Sequence, residues 1–238
     1  MPGTPPASAA LVDELVTGNH ILFHEKVVDA FGHISVRHDK DPSKFLLSRH
    51  RAPGLVQPSD ILVHDFDGNP EGSEAGARLY GERFIHGEIY RARPDVVAVV
   101  HCHAPQLIPF CATRSSLKPL YHMSGFLGRG VPIFEIRETG GMTDMLIRSS
   151  ALGVALAKSL AAHPMVLMRG HGATMVGNSI QQVVYRSIYA ALNAALQMEA
   201  LRLGEPIYLA REEAEQAEAT NDKALDRAWA LWKQEAAG

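Results

Sequence analysis

The sequence predicts a layered α/β protein, a mixed β-sheet with helices on its faces. Three observations carry that reading. Short strand-like runs separated by turns fill the first third of the chain, and helical periodicities mark both ends. Between them Glu82 to His103, ERFIHGEIYRARPDVVAVVHCH, reads as a helix, a Pro break and a buried strand that ends in His-x-His.

The elements follow in order. Residues 1–10, MPGTPPASAA, are Pro- and Ala-rich and read as a loose terminal segment. From Ser8 to about Ala30 an amphipathic helix is expected, with Leu11, Leu15 and Leu22 along one side and Gly32 just beyond its end. HISVRH, the turn DKDPSK and FLLS form a hairpin with Pro42 in the turn. Ser48 to Gly54 is a polar loop, and ILVHDF is a strand closed by Asp67-Gly68-Asn69-Pro70. Glu71 to Arg78 is a loose connection. Pro94 stops the helix of the central stretch, because Pro lacks an N–H and disfavours a helical residue before it. The Val-rich run Asp95–Val100 suits a strand buried on both faces.

Beyond His103, Pro105 and Pro109 leave the chain too broken for one regular helix, and Leu117 to Phe134 suggests short strands and loops. Thr143 is placed to cap a helix carrying Leu146, Ser150, Gly153, Ala157 and Leu160 on one side. Met165–Met168 is a buried strand, Arg169-Gly170-His171-Gly172 a sharp turn, and ATMVG a second strand. Ser179 caps the longest helix, with Ile180, Val184, Ile188, Leu192 and Leu196 repeating every four residues and Gly204 at its end. The remainder is charged and Ala-rich, with Trp229, Leu231 and Trp232 suited to packing on the body or on a neighbouring subunit.

Composition narrows the function. The 238 residues fit one domain with a tail, and 46% hydrophobic against 21% charged residues is ordinary for a globular chain. A net charge of −3 gives no argument for nucleic acid or an anionic membrane. No apolar run is long enough to span a bilayer, and the start lacks a secretory signal pattern. Two cysteines, Cys102 and Cys111, make no disulfide framework, so a reducing cytoplasm is expected.

Period-two geometry puts His101 and His103 on one face of their strand, which supplies half of a metal site, while Cys102 points the other way. A catalytic divalent ion commonly takes three protein ligands and keeps an open position. His171 is the candidate third ligand, because glycines on both sides let its backbone approach closely. Glu82 is the candidate fourth group, brought back by the short helix–strand connection. The competing reading is bland: His-x-His is common without metal, and a His between glycines can simply satisfy a carbonyl.

GHISVR, E-R-F-x-H with RPDVVAVVHCH, and RGHGATMVG together resemble the class II aldolase/adducin family over about residues 8 to 210. Its type members include L-fuculose-phosphate aldolase and L-ribulose-5-phosphate 4-epimerase. The resemblance implies a three-layer fold with a mixed, largely antiparallel sheet between helices, a catalytic domain over 8–210 and a helical tail over 211–238. It implies His101, His103 and His171 as ligands of one divalent ion per subunit, Mn²⁺ or Zn²⁺ with Fe²⁺ and Co²⁺ also suitable. It implies Glu82 as acid/base and a homotetramer with active sites between subunits.

The chain departs from the sugar-phosphate members. Where they hold phosphate with small polar residues, it has His33 in G-H-I-S, Arg49-His50 after Ser48, and Tyr80-Gly81 before Glu82. Arg49 and Arg51 offer planar forks suited to carboxylates, though a solvated loop would also explain them. GHISVRH, ERFIHGEIYRARPDV, HMSGFLGRGVP and MRGHGA with VYRSIY are similar to the aromatic decarboxylase branch, which acts on hydroxylated pyridine dicarboxylates and on 3,4-dihydroxyphthalate. The expected activity is therefore metal-dependent, non-oxidative decarboxylation of a hydroxylated aromatic or pyridine dicarboxylate. His33, Ser48, Arg49, Arg51 and Tyr80 are the expected substrate contacts, and His33, His86 and His122 the reserve proton donors. An aldolase or epimerase on a sugar-derived substrate is the alternative, and a non-enzymatic adducin-like module the third reading.

Overall fold

The computed structural model describes residues 4–71 and 77–237. Residues 1–3 of the expected loose terminus and 72–76 of the connection before the central stretch lie outside the described residues. Among the described residues, seven strands form one sheet in the order β3-β2-β1-β4-β7-β6-β5. They are β1 His33–Arg37, β2 Lys44–Ser48, β3 Ile61–Asp65, β4 Ala98–Cys102, β5 Ile133–Phe134, β6 Met165–Met168 and β7 Gly172–Gly177. All neighbours are antiparallel except β5 and β6, which run parallel. The sheet is thus mixed and largely antiparallel, as expected.

The helices make two further layers. Alternation along β4 sends Val100 and Cys102 to a core shared with α1 Ala9–His24, α6 Ile180–Leu203 and α8 Leu225–Glu235. Val99 faces the other way, with Ile85 and Ile89 of α2 Phe84–Ala92 and Leu156 and Leu160 of α5 Ser150–Leu160. Cys102 is fully buried in the first of these cores, and burial pushes its thiol up to about 12. α7 Arg211–Asn221 lies on the 3₁₀ turns of His122–Arg129, and Trp232 of α8 packs on Tyr189 of its own chain. Short helices α3 Ile108–Ala112 and α4 Arg137–Gly140 occupy connections. Among the described residues no helix is long and apolar enough to cross a membrane.

Several expectations need correction. The first helix ends at His24, not near Ala30, because Lys26 takes a positive φ and Val27 and Val28 turn back to bond the Leu22 carbonyl. β4 starts at Ala98 rather than Asp95, whose carboxylate is held by Arg93 in the preceding turn. Residues 122–129 are helical rather than extended, with a break at Ser124. Ser149, not Thr143, caps α5, accepting from the Leu152 N–H; Thr143 instead closes a local turn onto Met145. Ser179 does cap α6, yet Leu192 and Leu196 lie exposed. A strict four-residue spacing advances about 40° per step on a 3.6-residue helix, so the stripe rotates off the core after a few turns. Val183, Ala190, Ala191 and Ala194 take its place.

Candidate metal centre and active-site cavity

β4 is the middle strand of the sheet, and its C-terminal end carries the His-x-His pair. β7 pairs with it through Cys102 and Ala173, so the β6–β7 turn that carries His171 rests against the end of β4. Glycine is needed on both sides of that His. Gly170 has φ +62°, and a Cβ at Gly172 would collide with the Cys102 carbonyl. Glu82 arrives from the turn before α2.

These four side chains converge, as the sequence predicts, with one ligand atom from each lying within 4.8 Å of the others. His103 Nε2 is 3.0 Å from His101 Nε2 and 3.1 Å from His171 Nε2. Glu82 Oε2 lies 3.5 Å from His101 Nε2 and 3.6 Å from His171 Nε2. Its other oxygen accepts from the Ile147 N–H at 2.9 Å, which fixes the carboxylate's orientation. Burial by itself would raise the Glu82 carboxyl, but His101 and His171 beside it override burial and hold it well below the ordinary carboxylate range. Burial, with His101 and His171 adding to it, lowers His103 to about 4.

The donor set fits a divalent ion. His101 Nδ1 donates to the Ala173 carbonyl at 3.1 Å, which aims Nε2 at the cluster, where a bound ion would take the place of a proton on that nitrogen. Three imidazole nitrogens crowd together with a carboxylate, and hydrogens alone cannot satisfy every one of their mutual contacts. Borderline N and O donors of this kind suit Zn²⁺ or Mn²⁺.

A cavity of about 450 Å³ opens beside Glu82 and His103. His33, Arg51 and Tyr80 line it, together with Phe31, Arg78 and Arg148. The His33 ring lies 4.6 Å from Tyr80 and 5.2 Å from His101, centre to centre. A second cavity of about 520 Å³, with Phe23, Val27, Val28 and Pro105 on its wall, meets His103 from another side.

Not every expected contact reaches the cavity. Arg49, paired in the sequence reading with Arg51 as a carboxylate clamp, is off the wall. Its Nε and an Nη both lie 2.6 Å from Oδ1 of buried Asp60, so its fork is already occupied. Arg51 touches Asp60 and the Leu55 carbonyl through Nε alone. Ser48 is buried behind the wall, 3.2 Å from the Tyr80 hydroxyl, which also donates to the Arg51 carbonyl. His86 lies wholly buried behind His33, and His122 is exposed on a segment that does not line the cavity. Arg78, Arg148 and the Ile147 N–H were not foreseen. Each comes from a connecting segment without periodicity, and only the tertiary fold brings it here.

The fold recurs in solved structures. The L-fuculose 1-phosphate aldolase from Glaciozyma antarctica superposes with a TM-score of 0.78 at 21% identity, over 98% of this chain and 93% of that one. Among curated proteins, decarboxylase tropJ of Talaromyces stipitatus is 38% identical over 256 residues, covering 97% of this chain and 95% of the relative. The 3,4-dihydroxyphthalate decarboxylase of Arthrobacter keyseri is 29% identical over 84% of this chain and 83% of its own. The model of the class II aldolase and adducin N-terminal domain matches residues 13–198, and with that match the chain belongs to the class II aldolase and adducin family.

Proposed function

We propose that the chain is a divalent-metal-dependent carboxy-lyase that removes CO₂ from a hydroxylated aromatic or pyridine dicarboxylate. The observation that carries this reading is the cavity wall. Beside a complete three-His, one-Glu cluster stand Arg51, Arg78 and Arg148, with aromatic Phe31 and Tyr80. Guanidinium forks suit carboxylates, and flat rings suit an aromatic acid. Decarboxylase names among the relatives point the same way.

Decarboxylation and retro-aldol cleavage share one difficulty, negative charge left on carbon when a C–C bond breaks. A divalent ion held by His101, His103 and His171 would supply Lewis-acid withdrawal of that charge through the neighbouring substrate oxygens. The chain's own residues do the rest. Glu82 is ionised when substrate arrives, so it takes the phenolic proton rather than bringing one. After CO₂ leaves, the protonated Glu82 returns that proton to the vacated ring carbon, and the phenol is reprotonated from solvent on release. Arg51 and Arg148 hold the remaining carboxylate, and Phe31 and Tyr80 cover the ring.

The working form is a homotetramer with its sites between subunits. Leu192, Leu196 and Leu203 along α6, with Ile207 and Leu231, are exposed on the single chain, which supports burial by another copy.

The test is a paired screen with added Mn²⁺ or Zn²⁺. Hydroxyphthalates, hydroxybenzoates and hydroxypyridine dicarboxylates are assayed for CO₂, and sugar phosphates for aldol products. CO₂ release confined to the dicarboxylates is expected; efficient cleavage of fuculose 1-phosphate would restore the aldolase reading.

A further inference from the structure

Asp60 is a buried carboxylate that stands behind the cavity wall at Arg51. It closes the turn before β3, and the β2–β3 pairing runs on past Ser48 and Ile61 to a bond from the Arg49 N–H to the Asp60 carbonyl at 2.8 Å. That pairing lays the Arg49–Arg51 segment over the Asp60 side chain, which is sealed from solvent. The two carboxylate oxygens serve different arginines. Oδ1 takes Nε and an Nη of Arg49, both at 2.6 Å. Oδ2 accepts from the Gln57 N–H at 2.9 Å and lies 3.1 Å from Arg51 Nε.

A guanidinium can grip a carboxylate along two kinds of edge, Nε with one Nη or the two Nη together. Arg51 has only the second kind to offer. Its Nε–H donates to the Leu55 carbonyl at 2.7 Å, with Asp60 Oδ2 beside it. Among the described residues, its Nη1 and Nη2 donate to no protein group. The Tyr80 hydroxyl donates to the Arg51 carbonyl, so backbone and side chain are both held. Arg51 lines the cavity, and Arg49, whose fork is on Asp60, does not. One carboxylate between two guanidiniums leaves a surplus positive charge for an anion.

We propose that Asp60 is a positioning residue. With the Leu55 carbonyl it anchors Arg51 by Nε, so that the paired Nη1 and Nη2 clamp a substrate carboxylate end-on. This rests on the reading of the previous section that Arg51 meets the carboxylate remaining on the ring. Asp60→Asn offers one acceptor oxygen where the carboxylate offers two, so it cannot serve Gln57, Arg49 and Arg51 together.

Calorimetry of phthalate and benzoate binding to the zinc-loaded protein tests it. Phthalate carries a second carboxylate for Arg51, and benzoate does not. Asp60→Asn should weaken phthalate binding about tenfold and leave benzoate within about twofold. In an Arg51→Ala background the same substitution should add less than about twofold. Equal weakening of both ligands, an undiminished effect without Arg51, or no weakening at all would overturn the proposal. Arg51→Lys changes a partly exposed side chain, so it tests the clamp even if Asp60→Asn fails to fold. It keeps the charge but cannot hold Leu55 and also present a paired edge, so it should weaken phthalate as much as Arg51→Ala does. Wild-type phthalate affinity in Arg51→Lys would also overturn the proposal. These affinities do not depend on the reaction. A phthalate preference that needs Asp60 and Arg51, in a protein that releases no CO₂, would leave the clamp standing and remove the decarboxylase reading.

Discussion

His101 donates from Nδ1 to the carbonyl oxygen of Ala173 at 3.1 Å, and this bond turns its Nε2 toward Glu82, His103 and His171. Ala173 is the second residue of β7, the strand that pairs with β4, just after the turn carrying His171. The same strand pairing therefore aims one candidate ligand and delivers another. The two histidines are thus tied to one strand pairing of the sheet, which suits a preorganised site.

His171→Ala should lose bound metal and turnover together while keeping its fold, because His171 sits on a turn rather than in the core. Elemental analysis and turnover decide it, with circular dichroism as the check on folding. A metal-free His171→Ala protein with normal turnover would remove His171 from the ligand set.

Glu82→Gln separates holding from proton transfer. The Gln carbonyl can still accept from the Ile147 N–H, so the protein should fold and keep metal. Turnover should fall by roughly 10²–10⁴, the usual contribution of a positioned general base. Wild-type rates in this variant would remove Glu82 from the proton path.

The two arginines of the polar loop should behave differently. Arg51→Ala should raise KM for a dicarboxylate by roughly ten- to a hundredfold, the worth of a charge-assisted contact of about 1.5–3 kcal/mol. Arg49→Ala should leave KM nearly unchanged and lower stability instead, by on the order of 1–3 kcal/mol, because Asp60 stays buried with fewer partners. Equal KM effects in the two variants would place Arg49 on substrate after all.

Acid should destabilise the fold through His64. Burial lowers its imidazole from 6.5 to about 4, so the folded state favours the neutral ring. The associated stability is fully present above pH 6.5 and is lost as pH falls towards 4, up to roughly 3 kcal/mol. His64→Leu should therefore flatten the decline of Tm between pH 7 and pH 4.5. An unchanged slope would contradict this account of His64.

Light scattering checks the assembly. The expected particle has four times the 25.9 kDa chain mass. A monomer at working concentration would refute the shared-site tetramer.

Much of this was legible in the sequence for one physical reason: local rules governed it. His101 and His103 share a face because strands repeat every two residues. His171 could approach because Gly170 and Gly172 allow a turn that other residues cannot make. Cys102 was correctly turned away by the same alternation. The failures came where a local rule met a tertiary choice. Thr143 and Ser149 are both plausible caps, and packing of α5 on α2 selected the second. Leu192 and Leu196 fit a repeat of four but not the true helical period. Arg49 looked like a clamp until Asp60, brought near by the β2–β3 pairing, claimed its fork. Arg148 and Ile147 come to the site from a loop far along the chain, and no spacing rule announces them.

The most direct measurement is CO₂ release by enzyme stripped with chelator and then titrated with Mn²⁺ or Zn²⁺, using 3,4-dihydroxyphthalate or a hydroxypyridine dicarboxylate as substrate. The account predicts negligible release from stripped enzyme and recovery that saturates at one ion per subunit. Full CO₂ release by protein verified free of metal, or none at any metal loading across the acids while sugar phosphates are cleaved, would contradict it.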